Sequence, residues 1–387
     1  MTTLMLTPLS ILYSITIPLA VFYLLTKTAP LNKLMSSETP GKYIYLDPVR
    51  GIAALLVFIH HSGMVYNQHV TGKFSPHGIF HYSSLIVRKV YIHFGQTSVM
   101  LFFMITGFLF FSKILNFDTP LNVRQFFKSR IKRLLPAMVS GFFLYILVII
   151  ILKDETQSNN FLSYIVSWFS FGFIGLPNLS DTIPGWSVTA GVFWTLVLEW
   201  KFYILIPFLS YFISNGKTAI IFLISTLGLI IYLYNINYLT EKEVSIYACF
   251  MSGLAIALII KSYPLIMQKW LGNPFAAIFC MALYIYSFLN TANSYTLQIT
   301  FSSFIFILIV ISGNSFFGVL KLKPLHWAGK SSYGIYIMHA LIMHLVFSLI
   351  SNNIGYYKSI FISTVILCIV TLLNYIFVER KYMCISR

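Results

Sequence analysis

Arg50 and His61 carry the first chemical signal in the sequence, standing eleven residues apart in YLDPVRGIAALLVFIHHSG. At about 100° per residue, eleven steps end about 20° past three full turns with a rise of about 16 Å, so on one helix the two side chains share a face. Asp47 can cap that helix and Pro48 fits its first position, so it starts beside Arg50. With Arg50 at one boundary of a hydrocarbon layer about 30 Å thick, His61 falls near its middle. There an imidazole, which takes and gives protons near neutral pH, must face a partner or a wet cavity. A packing histidine bonded to a neighbouring helix satisfies the same pattern. His60 points about 100° away from the shared face.

Three further groups are chemically suggestive. Arg130 and Arg133, in RQFFKSRIKRLLPAM, project from one side of a helical segment and can clamp phosphate through paired hydrogen bonds. Membrane orientation alone, or anionic headgroups, would also favour a basic segment there. Glu199 lies inside the apolar run GVFWTLVLEWKFYILIP, with Trp194, Trp200 and Tyr203 around it. A carboxylate in that position is costly unless it is protonated, hydrogen-bonded or turned to a polar interior. Lys201, about 200° around the helix, is no intrahelical partner for it. In GKSSYGIYIMHALIMH, Ser332 precedes Tyr333, Tyr336 and His339, which follow at three-residue steps. That stripe suits either a cavity wall or interhelical hydrogen bonding.

No metal centre is expected. His60, His61, His69, His77, His81 and His93 cluster in sequence, yet their spacings match no zinc pattern and no acidic residue lies between Asp47 and Asp118. Cys249, Cys280, Cys368 and Cys384 show neither paired nor metal-ligand spacing. Glu379, followed by Arg380 and Lys381, reads as a solvated helix end.

The elements that must position these groups are membrane helices. The 387 residues are 58% hydrophobic, 17% aromatic and only 9% charged, which excludes an ordinary soluble enzyme. Apolar stretches of spanning length occur near 8–26, 51–67, 91–112, 134–152, 187–210, 218–238, 244–260, 272–290, 297–312, 331–350 and 359–378. The run 161–176 is short, is followed by Pro177 and Pro184, and reads as interfacial or re-entrant. The expected fold is an all-α polytopic membrane protein of about ten core helices plus one extra N-terminal helix. Residues 1–40 would form that helix and a cytoplasmic linker, and 41–387 the main transmembrane domain. The first stretch lacks a basic leader and a clean small-residue cleavage site, so it reads as a retained helix.

The net charge of +16 is scattered between apolar runs rather than gathered on one face, which argues against a nucleic-acid partner. With alternating sides, nineteen Lys and Arg fall on one face against six on the other. By the positive-inside rule the richer face is cytoplasmic, with the C terminus inside and the N terminus outside.

These segments resemble the membrane-bound acyltransferase family 3, polytopic proteins that O-acylate cell-surface glycans, lipopolysaccharide, peptidoglycan and some small molecules. LDPVRGIAALLVFIHH is similar to the family's opening helix, in which an Arg precedes an essential His by eleven positions, here Arg50 and His61. FGQTSVMLFFMITGFLF resembles its Phe-rich span, with Thr106 where Ser is usual. RIKRLLP resembles the cytoplasmic RxxR before a Pro, giving Arg130, Arg133 and Pro136. FWTLVLEWKFYILIP supplies Trp194, Glu199, Phe202, Tyr203 and Pro207, with Thr195 in place of Ser, and KSSYGIYIMHA resembles the late Ser-Tyr, Tyr, His helix. No hydrolase-like extracytoplasmic domain follows the last span, so the expectation is a standalone membrane domain.

The resemblance implies an enzyme of the bacterial inner membrane. It would move an acyl group, by default acetyl, from cytoplasmic acetyl-CoA or another acyl-CoA to a hydroxyl of a glycan or glycolipid such as lipopolysaccharide or exopolysaccharide. His61 would be general base or acyl carrier. Arg130 and Arg133 would hold the donor's phosphates, and Arg50 would bind donor or stabilise charge near the entrance. Glu199 would orient the imidazole, while Trp194, Tyr203, Tyr333, Tyr336 and His339 would line the substrate cavity. The rival reading is a transporter or flippase for a glycolipid or acyl donor, which would show broken helices in related positions of two halves. No such pairing is visible in the sequence.

Overall fold

The computed structural model describes residues 4–28, 42–75, 80–116, 121–152, 161–181, 183–213 and 215–384. Residues 29–41, which take in the expected linker, lie wholly outside them, as do His77 and residues 385–387. Helix α1 (Pro8–Lys27) is followed by α2 (Leu46–Thr71), α3 (Leu85–Asn116) and α4 (Val123–Leu152). Two short helices, α5 (Phe161–Phe169) and α6 (Gly185–Val188), lead into α7 (Phe193–Phe212), α8 (Gly216–Asn235) and α9 (Glu241–Ser262). Then come α10 (Pro264–Leu271), α11 (Pro274–Asn290), α12 (Leu297–Ile311), α13 (Lys323–Lys330) and α14 (Ser332–Asn374).

Among the described residues nine helices are long and apolar enough to cross a bilayer. The chain is a multi-pass, all-α membrane protein, as the composition demanded. Three expected spans take less regular forms. The 272–290 stretch is the second arm of a pair, α10 and α11, bent by 76°. Pro274 opens α11 and the Asn273 side chain accepts from the Ala276 N–H, so a new helix starts where the old one stops. The 297–312 stretch forms α12, only 15 residues long, and the 187–210 stretch becomes helical for its full length only from Phe193. Helix α14 is broken at Gly355, whose φ of 73° lies in the left-handed region. The two spans it contributes to are Ser332–Ile350 and Ile354–Tyr382, the second continuing past the end of α14.

Strand is confined, among the described residues, to a three-residue parallel pair, β1 (Leu4–Leu6) with β2 (Phe80–Tyr82). It ties the chain ahead of α1 to the loop beyond α2, and the Leu6 carbonyl also accepts from the Ser83 N–H at 2.9 Å.

Helix α2 begins two residues earlier than expected. Leu46 is its first residue and Tyr45 its N-cap, so Asp47 sits in the first turn rather than at the cap. There it lies 3.8 Å from the Arg50 guanidinium. Gly72, left-handed at φ 73°, ends the helix.

Two apolar clusters hold the bundle together. One joins α1, α2, α4 and α14, and the other joins α3, α7, α9 and α12. Helices approach most closely where glycine leaves out a side chain. A Cβ on Gly253 of α9 would lie 2.3 Å from the Phe108 backbone nitrogen of α3, and one on Gly329 of α13 would lie 1.9 Å from the Asp47 carbonyl oxygen of α2. Without aqueous solvent to drive helices together, such backbone proximity is what supplies packing in a membrane.

Candidate active site

Five helices, α2, α3, α4, α7 and α14, enclose a cavity of about 320 Å³. Arg50 comes from α2, Lys113 from α3, Arg130 and Arg133 from α4, Glu199 and Tyr203 from α7, and Ser332, Tyr333 and Tyr336 from α14. Both loop-end arginines therefore face one space, as their three-residue spacing requires. Pro136 within α4 lacks the N–H that would bond the Lys132 carbonyl, which loosens the turn beside Arg133.

The cavity wall is polar where it carries charge and aromatic between. The Arg130 guanidinium lies 5.0 Å from the Phe110 ring centroid and 6.0 Å from that of Tyr203. Tyr203 donates its hydroxyl proton to Glu199 one turn earlier on α7. Among the described residues no carboxylate comes within 4.0 Å of Arg130 or Arg133, the ion pair being Arg50 with Asp47. The Ser332 and Tyr333 hydroxyls are buried and make no hydrogen bond. Buried polar groups are normally paired, so these two invite a polar ligand.

Phe102, Thr195 and Tyr336 close the cavity's inner end. The Thr195 hydroxyl donates to the Val192 carbonyl at 2.8 Å, so the Tyr336 phenol, 2.7 Å away, is the donor in their mutual bond. Phe102 meets the Tyr336 ring edge-on at 5.8 Å.

Behind Tyr336 lies a pair of imidazoles outside the cavity lining. His339 is fully buried, and its Nδ1 sits 2.9 Å from the Tyr336 carbonyl oxygen and 3.2 Å from that of Ile335. His339 Nε2 is 3.0 Å from His61 Nδ1, and the two rings meet edge to edge, with centroids 5.2 Å apart and planes within 15° of each other. His61 itself is half-buried. Its other ring neighbours are His60, at 4.9 Å, and Phe74, at 6.5 Å. His60 turns away, its Nδ1 lying 2.6 Å from the Tyr91 carbonyl. Tyr336 thus belongs to both compartments, with its ring in the cavity and its carbonyl on His339.

Several expected residues take other places. Glu199 pairs with Tyr203 and does not touch His61, whose bonded partner is His339. Trp194 lies away from the cavity. The Lys242 ammonium sits 4.1 Å from its ring centroid and 5.2 Å from that of Tyr295. Glu379 is no solvated end, being 2% exposed. It closes a five-residue π-turn, Tyr375–Glu379, and accepts from the Asn374 amide at 2.7 Å. The sequence gives no sign of that extra residue in the turn, which brings Glu379 inward beside Gly334. Among the described residues no cluster of three His, Cys, Asp or Glu could hold a metal ion.

The profile of a known family, described as an acyltransferase domain, matches residues 43–376. That range contains both imidazoles, the three cavity arginines and Glu199, and omits α1. The chain is also 25% identical, over 325 residues, to a Bacillus subtilis (strain 168) protein whose printed description is "Putative peptidoglycan O-acetyltransferase YrhL". The aligned region covers 74% of this chain and 50% of that protein, so the chain spans about half the relative's length. No solved structure gives a significant match.

Proposed function

The chain belongs to the acyltransferase family whose profile covers residues 43–376, and on that premise we propose that it moves an acyl group, acetyl by default, from a coenzyme A thioester to a hydroxyl of a surface glycan or glycolipid. The observation that carries this reading is the adjacency of a cation-lined cavity and an intramembrane imidazole pair, with Tyr336 touching both.

The donor needs an anion site. Arg130 and Arg133 offer planar forks suited to phosphate oxygens, and Arg50 and Lys113 add charge to the same wall. The one carboxylate lining the cavity, Glu199, is already engaged by Tyr203. Beyond the phosphates, the Ser332 and Tyr333 hydroxyls suit the amides of a pantetheine arm. Its thioester then arrives at Phe102, Thr195 and Tyr336, and the Tyr336 ring must move for the carbonyl to reach His61.

The acceptor hydroxyl approaches His61 from the Phe74 side, where its ring is not covered by His339. His61 takes the hydroxyl proton as the oxygen attacks the thioester carbonyl, the carbon–sulfur bond breaks, and the thiolate leaves with that proton as free thiol. Ester and thiol replace alcohol and thioester, with no metal or redox partner required. The cavity mouth faces the cytoplasm of a bacterial inner membrane in this reading, with the acceptor on the opposite side. The relative's description brings peptidoglycan hydroxyls into the acceptor class beside lipopolysaccharide and exopolysaccharide.

Mass spectrometry of surface glycans from cells with and without the gene tests the reaction. Gain of one acyl group that depends on the gene is the expected result. His61→Ala should abolish that gain while leaving membrane abundance unchanged; full acylation by the variant would remove His61 from the chemical step. A transporter using the same interior would leave acyl-CoA unconsumed by the purified protein.

A further inference from the structure

We infer that His339 is the positioning residue of this site: it fixes His61 in the tautomer whose Nε2 is bare, and it shares the proton's charge when His61 takes one up. The inference rests on the acyl-transfer reading above and adds a role for a residue 278 positions further along the chain.

The assignment follows from which atoms can donate. The oxygens facing His339 Nδ1 are backbone carbonyls, of Tyr336 at 2.9 Å and Ile335 at 3.2 Å, and carbonyls only accept. Nδ1 therefore carries the proton, and the Nε2 of the neutral ring is a bare acceptor. That acceptor lies 3.0 Å from His61 Nδ1, so His61 Nδ1 must donate. The remaining nitrogen of His61, Nε2, is left with its lone pair exposed. In water neutral imidazole side chains favour the opposite tautomer, with the proton on Nε2. The polarity of one backbone turn of α14 is thus passed through two rings and sets the base.

Among the described residues no other group competes for the task. Glu199 is bonded to Tyr203. His60, on α2, gives its Nδ1 to the Tyr91 carbonyl and meets His61 by ring contact alone. His344, five residues beyond His339 on α14, lies 3.3 Å from the Ser187 carbonyl. His339 is fully buried, and its ring is held at both nitrogens, Nδ1 by two carbonyls and Nε2 by His61 Nδ1.

During turnover the acceptor's proton binds His61 Nε2 and makes an imidazolium. Its Nδ1 proton can then pass to His339 Nε2, which moves the positive charge one ring further while Nδ1 of His339 stays on its two carbonyls. Return of both protons along the same path, the last to the thiolate, restores the neutral pair. A carboxylate does this work in serine hydrolases. An imidazole does it here without placing a resting charge in hydrocarbon, where an ion is expensive.

The test uses the full-length protein in lipid nanodiscs, labelled with ¹⁵N-histidine. The His61 signals are assigned by their loss in His61→Gln. In the resting wild type, Nδ1 of His61 should show the shift of a protonated nitrogen and Nε2 that of a bare one; a protonated Nε2 overturns the inference. His339→Leu should lower kcat by about 10²-fold or more while KM for acyl-CoA changes by less than about threefold. His339→Gln, whose side-chain oxygen can accept from His61 Nδ1, should recover about tenfold of that loss and keep the wild-type His61 signature. Wild-type kcat in His339→Leu would also overturn it. The wild-type spectrum decides the matter if the Leu variant fails to fold. Loss of the acyl-transfer reading is separately visible, as absence of acyl transfer by a wild-type protein whose His61 still shows the expected tautomer.

Discussion

Gly329→Ala is expected to cripple acyl transfer although Gly329 lies outside the cavity. Helix α13 crosses the start of α2 at this residue, and an added Cβ would lie 1.9 Å from the Asp47 carbonyl oxygen, about 1.5 Å inside ordinary contact. Both atoms belong to backbone segments, so no side chain can swing aside. Asp47 and Arg50 share the first turn of α2, and His61 lies about 16 Å further along the same rigid helix. The His61 to His339 bond is 3.0 Å long and is lost beyond about 3.5 Å. If only a third of the required separation reached His61, that margin would be consumed. Misplacement on the scale of 1 Å costs about 10²-fold in rate, and overpacking costs about 1–3 kcal/mol of stability. Acyl transfer per folded molecule, measured on detergent-purified protein beside its melting temperature, reads both effects. Gly228→Ala in α8, where an added Cβ meets nothing within 4 Å, should leave activity unchanged. Wild-type turnover and melting in Gly329→Ala would refute the claim that this crossing sets the position of α2.

Two further outcomes follow from the cavity itself. Arg133→Lys keeps the charge but loses the planar fork, so KM for acyl-CoA should rise about tenfold with kcat little changed. Arg130→Lys should do more, because the guanidinium also stacks on Phe110 at 5.0 Å; equal KM values for both variants and wild type would exclude these residues from donor binding. Tyr336→Phe removes the bond to Thr195, worth about 1 kcal/mol, so the inner end should open about fivefold more often. Acyl-CoA hydrolysis in the absence of acceptor should rise accordingly, and an unchanged rate would show that Tyr336 does not separate the compartments.

The parts of this molecule that were legible from sequence are those governed by a single helix. Apolar length alone located the spanning helices, because hydrocarbon demands it. The shared side of Arg130 and Arg133 follows from helical spacing, and so does the bond from Tyr203 to Glu199, which are four residues apart. Trp194 was expected in the cavity, yet one helical step turns the next residue, Thr195, about 100° away from it. Thr195 faces the cavity, whereas Trp194 faces Lys242. Pairings between distant helices left no local trace. Nothing in the spacing of α2 names His339 as the partner of His61, although the three-residue stripe on α14 marked it as polar and inward-turned. Glu379 escaped for a backbone reason, since a π-turn shifts every later side chain around the helix axis.

The division of charge between the two compartments explains why both are needed. Three arginines and a lysine line a space whose one carboxylate is engaged. Such a wall is stable beside water or an anion and unfavourable in contact with hydrocarbon alone. It therefore suits the phosphate-bearing end of a donor, and the unbonded Ser332 and Tyr333 hydroxyls lie on the same wall. A cationic environment would be a poor place for a base, because nearby positive charge opposes protonation. The imidazole pair stands outside the cavity lining, with backbone carbonyls rather than arginines at its far end. There a proton can be accepted at His61 without competing against the donor site's field. Tyr336 belongs to both. Its phenol bonds Thr195 at the cavity's end, and its carbonyl sets the polarity of the two rings. Motion of its side chain can admit the thioester while its backbone keeps the base in the reactive tautomer.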